Sequence, residues 1–192
     1  STRAPLVIAK PLVESHRVHE LAEHFPNARF LWLYRDVRGV AKSNLNRWGA
    51  DNGRSDLAPI LKGDPNNWRS QGLSEETRTH ISDLVAAGIS DEDAAALFWF
   101  SRNSLFFDQN LGESDRVLPV YYRDLVDQPI EAVAEIYRFV GLPVPEANLT
   151  DFISKSSMGR GAEMNFSPQV DKICTTMFER IRSAHKAAGS AP

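Results

Sequence analysis

Five basic residues, Arg35, Arg38, Lys42, Arg47 and Arg54, stand against two acidic ones, Asp36 and Asp51, between positions 35 and 54. That is a local charge of +3 in a 192-residue chain whose formal net charge is −3. Positive charge gathered against the global sign points to an anion, and the residue types say how it would be held. Arg35 carries a planar fork of donors suited to a phosphate. Ser43 follows Asp36 by seven residues, about two turns at 3.6 residues per turn, so its hydroxyl returns to the same helix face and approaches the phosphate from a second side. A solvated basic helix face with Arg35 as a capping residue is the other reading of this spacing. A nucleic-acid stripe fits poorly with the negative net charge and the lack of a recognised motif. His16 and His19 have i, i+3 spacing, with His24 beyond, but no cysteine is near and no second cluster completes a metal site, so no metal is expected.

These residues need elements to position them. Leu6-Val7-Ile8-Ala9 is a short apolar run of the kind that forms a buried strand. Val18, Leu21, Ala22 and Phe25 follow at helical spacing, with Ser15 as the expected N-cap and Pro26-Asn27 as the break. Ala28 to Tyr34 reads as a second buried strand, and Asp36 to Trp48 as a helix with Val37, Val40, Ala41 and Leu45 on its apolar stripe. Strand, helix, strand, helix is the βαβ pattern of parallel strands joined by a right-handed crossover. Arg35 then falls at the carboxyl end of a buried strand, where ligands of open α/β sheets bind. The free amides and dipole of the next helix favour an anion there.

Residues 49 to 74 are rich in Gly, Asn, Asp, Pro and Ser without a sustained period, and are expected to form a long substrate-facing excursion. Helices are expected at 75–87 and 91–110, the second opened by a capping box of Ser90 and Asp93 and closing near Gly112. Arg102-Asn103 inside it reads as a buried polar pair organising the core. A third strand over Arg116–Tyr121 follows, then a helix from Pro129 to Val140 stopped by Gly141-Leu142-Pro143. Helical character returns at 147–155 and 168–187. No linker divides the chain, so residues 1–192 read as one α/β domain. Its 42% hydrophobic and 24% charged residues exclude disorder, collagen and coiled coil, and no apolar run approaches the roughly 18 residues of a membrane helix. The lone Cys174 makes no internal disulfide and suits a reducing, cytoplasmic compartment. A chain that begins without methionine and enters an apolar strand by Leu6 leads us to expect that 192 residues is a lower bound on the native length.

Two segments in this order resemble a known family. Lys10-Pro11, then Phe25-Pro26-Asn27-Ala28-Arg29-Phe30, then Leu33-Tyr34-Arg35-Asp36-Val37-Arg38-Gly39-Val40-Ala41-Lys42-Ser43 are similar to the 3′-phosphate-binding segment of sulfotransferases that use 3′-phosphoadenosine 5′-phosphosulfate. Downstream, Val117-Leu118-Pro119-Val120-Tyr121-Tyr122-Arg123-Asp124-Leu125 and Phe139-Val140-Gly141-Leu142-Pro143 resemble that family's strand, Tyr-Glu-Asp-Leu turn and Phe-Leu-Gly-Leu-Pro helix end. The resemblance covers most of residues 5 to 143. It implies a P-loop-like, three-layer α/β domain with a central parallel sheet, and transfer of a sulfuryl group to a hydroxyl or amine of a small-molecule or glycan acceptor.

Carried over residue by residue, the resemblance gives Arg35 and Ser43 the 3′-phosphate and Tyr122 the adenine. Arg160-Gly161 corresponds to a late basic segment that also reaches the 3′-phosphate, although the family's lysine is absent. Arg123, where the family usually has Glu, reads as a surface change. The general base should follow the Lys10 strand, at Glu14 or His16; the family uses histidine in many members and an acidic residue in others. Glu14 is preferred because it lies closer to the strand end, with His16 already in the helix. The chief departure is at the front. The family's first strand and its loop for the 5′-phosphosulfate have no counterpart before Leu6, and no Gly-x-x-x-x-Gly-Lys-Ser/Thr occurs. Two other readings share the fold: a kinase-like phosphotransferase, and a non-catalytic nucleotide-binding or interaction domain.

Overall fold

The computed structural model describes residues 6–11, 13–144 and 163–189. From the amino end a 3-10 turn (Glu14–Arg17) leads into α1 (Val18–His24), β1 (Phe30–Tyr34), α2 (Val37–Trp48), α3 (Asn52–Leu61), α4 (Glu75–Ala86) and α5 (Asp91–Asp108). A second 3-10 turn (Leu111–Glu113) precedes β2 (Val117–Tyr121), which runs directly into α6 (Tyr122–Asp127), followed by α7 (Pro129–Phe139) and α8 (Pro168–Gly189). The fold is α/β, as the sequence reading expects.

The two strands pair in parallel, from Phe30 opposite Val117 to Tyr34 opposite Tyr121. Side chains alternate along a strand, so Phe30, Trp32 and Tyr34 share one face of β1 and Leu31 and Leu33 the other. The aromatic face is packed: Trp32 meets Phe106 at 5.7 Å, and Tyr34 lies against Tyr121 at 5.1 Å and Phe178 at 5.8 Å. Leu31 and Leu33 are 45% and 57% exposed, so β1 is covered on one face rather than on both. Arg116, just before β2, donates to the carbonyls of Ala22, Phe25 and Ala28 and so ties the exit of α1 to the start of the sheet.

The expected strand at Leu6–Ala9 is not formed. Val7 and Ile8 are 81% and 86% exposed, and the sheet among the described residues contains β1 and β2 alone. A strand needs a neighbour for its backbone N–H and C=O groups, and the apolar run has none among the described residues. Ser15 is likewise not a helix cap: it lies within the 3-10 turn, and α1 starts at Val18 without a side-chain cap.

The centre of the molecule is α5. Ser90 and Asp93 form the expected capping box, each accepting the other's backbone N–H. Twelve of its 18 residues are buried, and the helix packs against α2, α3, α4 and α8. A helix apolar on all sides belongs in a core. Helix α8 supplies Val170, Cys174, Met177 and Ile181 at helical spacing, all buried.

Residues 49–74 are not a continuous loop, because α3 occupies 52–61. Its buried residues Gly53, Asp56, Leu57 and Ile60 fall at i, i+3, i+4 and i+7, a helical stripe that a glycine and an aspartate conceal from a search for apolar periodicity. Gly53 is the reason α3 and α5 approach closely: a Cβ there would lie 2.6 Å from the Ala95 nitrogen and 2.8 Å from the Ala94 carbonyl carbon. Backbone atoms cannot yield as a flexible side chain does. Gly53→Ala is therefore expected to lower the unfolding free energy by about 1–3 kcal/mol, read as a reduced urea midpoint; an unchanged midpoint means that the two helices separate at little cost.

Candidate functional site

The strand pairing determines one corner of the site. Tyr34 and Tyr121 are opposite each other in the register, so the residues after them, Arg35 and Tyr122, emerge side by side at the carboxyl edge of the sheet. The Arg35 guanidinium carbon lies 4.8 Å from the centroid of the Tyr122 ring. The same guanidinium covers Gly39 in the first turn of α2, where a Cβ would meet its Nε at 3.1 Å and Nη2 at 3.2 Å. Ser43 is exposed one turn beyond Gly39 on that helix face. The Trp99 indole N–H, from α5, donates to the Arg35 carbonyl at 3.0 Å and pins the backbone where strand becomes helix. Arg35 and Tyr122 thus meet, with Ser43 one turn further along the helix whose Gly39 lies under the guanidinium, while Arg160 and Gly161, like the expected helix at 147–155, lie outside the described residues.

The expected free amides at the start of α2 are occupied. The Asp36 carboxylate caps the helix, accepting from the backbone N–H groups of Arg38 at 2.9 Å and Gly39 at 3.3 Å. An anion at this corner is therefore a matter for side chains rather than for those amides. The local +3 is also largely consumed by partners from distant parts of the chain. Arg38 pairs with Asp171 at 2.7 Å and stacks on Phe166, Lys42 faces Glu163 at 3.7 Å, and Arg54 pairs with Asp91 at 2.9 Å. Arg123 pairs with Asp127 on the surface, in keeping with its reading as a surface change.

A second corner forms around the turn before α1. Glu14 and His16 both belong to this 3-10 turn and both line a cleft of about 700 Å³, with Trp68, Gln71 and Gln109 opposite. Chain position thus no longer separates the two base candidates, because His16 is not yet in the helix. Glu14 Oε2 accepts from the Val13 amide at 3.0 Å. His16 Nδ1 lies 3.1 Å from the Val13 carbonyl oxygen. A carbonyl only accepts, so Nδ1 carries the hydrogen, and in the neutral ring Nε2 keeps its lone pair. Burial holds the His16 pKa below its ordinary value of 6.5, aided by the Arg102 and Arg17 charges and opposed by the Val13 hydrogen bond and Glu14.

Three further residues build this corner, and sequence reading missed their part in it. Gly72 has φ +76°, and a Cβ there would crowd His16 Cβ at 3.1 Å and Leu105 at 3.0 Å, so the segment after Trp68 passes directly beneath the histidine. Trp68 is braced by Arg69 at 4.4 Å and Arg102 at 5.1 Å. The Arg69 guanidinium is held by the buried Asp56 of α3 at 2.7 Å. A tryptophan inside the polar run Asn66-Asn67-Trp68-Arg69 was the available signal. Of the polar residues Arg102 and Asn103, Asn103 is buried and donates to the Trp99 carbonyl, while Arg102 is half-buried and reaches Ser15.

His16 is expected to titrate below 6.5, which proton NMR of its ring measures directly. A folded-state pKa below the unfolded one means that the unfolded chain binds the proton more readily. The contribution is complete above about 6.5 and is lost as pH falls from there through the folded value. His16→Gln should flatten that part of the pH–stability curve in urea unfolding, whereas an ordinary or raised titration contradicts the burial of the ring.

Against known families, residues 1–146 match the model described as the sulfotransferase family. Neither the curated proteins nor the solved structures contain a match. A match over more than half of the chain, on a sheet edge that brings Arg35 beside Tyr122, makes this protein a member of the sulfotransferase family.

Proposed function

We propose that this chain takes 3′-phosphoadenosine 5′-phosphosulfate as donor and passes its sulfuryl group to a hydroxyl or amine of a small-molecule or glycan acceptor. The observation that supports it is the meeting of Arg35 and Tyr122 at 4.8 Å, next to the helix face that carries Ser43. Arg35 and Ser43 hold the 3′-phosphate from two sides. Tyr122 contacts the adenine while its ring braces the guanidinium. The resemblance alone assigns Arg160 and Gly161, outside the described residues, to the same phosphate.

His16 is the general base in this reading, with Glu14 the second candidate. Its Nδ1–H is committed to the Val13 carbonyl, which directs the Nε2 lone pair to receive a proton. His16 Nε2 takes the acceptor proton as the acceptor oxygen or nitrogen attacks sulfur. The bond from acceptor to sulfur forms, and the bridging sulfur–oxygen bond to the 5′-phosphate breaks. The electron pair leaves with that phosphate, so the products are the sulfated acceptor and adenosine 3′,5′-bisphosphate. In-line placement and charge on the leaving oxygen matter here as they do in phosphoryl transfer.

Calorimetry tests the nucleotide assignment: adenosine 3′,5′-bisphosphate should bind more tightly than adenosine 5′-monophosphate, and equal affinities would sink the 3′-phosphate grip. Arg35→Ala should weaken the bisphosphate by about 2–5 kcal/mol, the cost of truncating one member of a desolvated charge pair. Replacing the base is a separate matter. His16→Asn should cut kcat by roughly 10²–10⁴-fold with bisphosphate affinity intact, and a fully active variant transfers the role to Glu14.

A further inference from the structure

We propose that Arg102 is a positioning residue for the acceptor side of the site, joining the turn that carries His16 to the Trp68 wall of the cleft. The inference rests on the assignment of His16 above. Arg102 stands on the buried helix α5, three residues after Trp99, about 4.5 Å along the axis. Its Nη2 donates to Ser15 Oγ at 2.7 Å, and its Nη1 donates to the carbonyls of Trp68 at 3.2 Å and Arg69 at 3.4 Å. The guanidinium also lies 5.1 Å from the Trp68 ring centroid.

Arg102 combines a lack of counter-charge with a place on the enclosed central helix. Among the described residues no carboxylate pairs with Arg102, whereas its neighbour Arg69 has Asp56. A half-buried cation without an anion loses hydration that no carboxylate returns, and this desolvation with the nearby Arg69 charge holds the Arg102 pKa down to about 10. If α5 needed only to fill space here, an unbranched apolar side chain would serve without that cost. The planar fork does something an apolar chain does not: it satisfies two carbonyls of one wall and a hydroxyl of the other at fixed mutual geometry. The charged and titratable groups around His16 are Glu14 and Arg17 from its own turn, His19 and Glu20 from α1 directly after it, and Arg102 from α5. Arg102 therefore presents to the ring both a fixed frame and a positive charge that favours its neutral form.

Two variants separate frame from charge. Arg102→Met removes both, so the His16 ring should titrate at higher pH by NMR. The acceptor KM should rise roughly ten- to a hundredfold, the scale of a lost charged hydrogen bond. Arg102→Lys keeps the charge and loses the fork, so the His16 titration should stay near that of the parent while the acceptor KM rises. Both variants should bind adenosine 3′,5′-bisphosphate as the parent does. Should Arg102→Met fail to fold, Ser15→Ala cuts the link to the His16 turn alone and should raise the acceptor KM. A folded Arg102→Met with the parent's His16 titration and acceptor KM overturns the proposal, as does loss of bisphosphate binding in Arg102→Lys, which would make the residue a general core element. The NMR titration needs no turnover, so it decides the role of Arg102 even if the donor assignment fails.

Discussion

The burial of α5 is the constraint on which the rest depends. A helix enclosed by α2, α3, α4 and α8 cannot leave a polar group unpaired without a cost of a kilocalorie or more, about 1–3 kcal/mol per group. Ser101, Asn103 and Ser104 meet this demand with carbonyls of α5 itself, whereas Asp93, Trp99, Arg102 and Asp108 reach out to other parts of the molecule and hold them. Asp93 at its start accepts from the Ser167 amide and anchors the entry to α8. Trp99 takes the Arg35 carbonyl, and Arg102 takes Ser15 with the Trp68 loop. Asp108 at its end accepts from the Ser74 amide and the Thr77 hydroxyl at the start of α4. One helix thus serves as the spine for both corners of the site.

The two corners differ in character. At the carboxyl edge of the sheet, charge is abundant but most of it is committed: Arg38, Lys42 and Arg54 each face a carboxylate from another element. These ion pairs are partly exposed, so they hold elements in register more than they stabilise them. Around His16 burial matters more than ion pairing. The ring sits where burial favours its uncharged form, within a cleft whose Arg17 is paired to Glu20. The uncharged ring keeps its Nε2 lone pair available to accept a proton, and the Arg102 and Arg17 charges act in the same direction.

The strands after Ala28 and helices α4, α5 and α7 are legible because their signals are local: apolar runs, a capping box at Ser90, proline and glycine at the ends of α7; α6, where the sequence reads as a turn, is not. The convergence of Arg35 and Tyr122 was legible only through family resemblance, since their proximity comes from pairing between distant strands. Helix α3 was missed because its buried face includes Gly53 and Asp56, whose roles are close approach and an ion pair with Arg69. Leu6–Ala9 misled in the other direction, since an apolar run records what could be buried and says nothing of whether a neighbouring strand is there to bury it. The preference for Glu14 over His16 rested on counting residues from that run, and the 3-10 turn that holds both removed its basis.

The parallel pairing of β1 with β2 has a consequence for the order of events in folding. Four helices separate the strands in sequence, so the sheet closes a long loop, and contacts of that kind are slow to form compared with local helical ones. Arg35 and Tyr122 meet only when that closure is complete. A chain with its helices formed but its strands apart has both side chains and no place where they act together. Capture of the ligand would then favour the closed state alone, drawing late folding to completion by mass action.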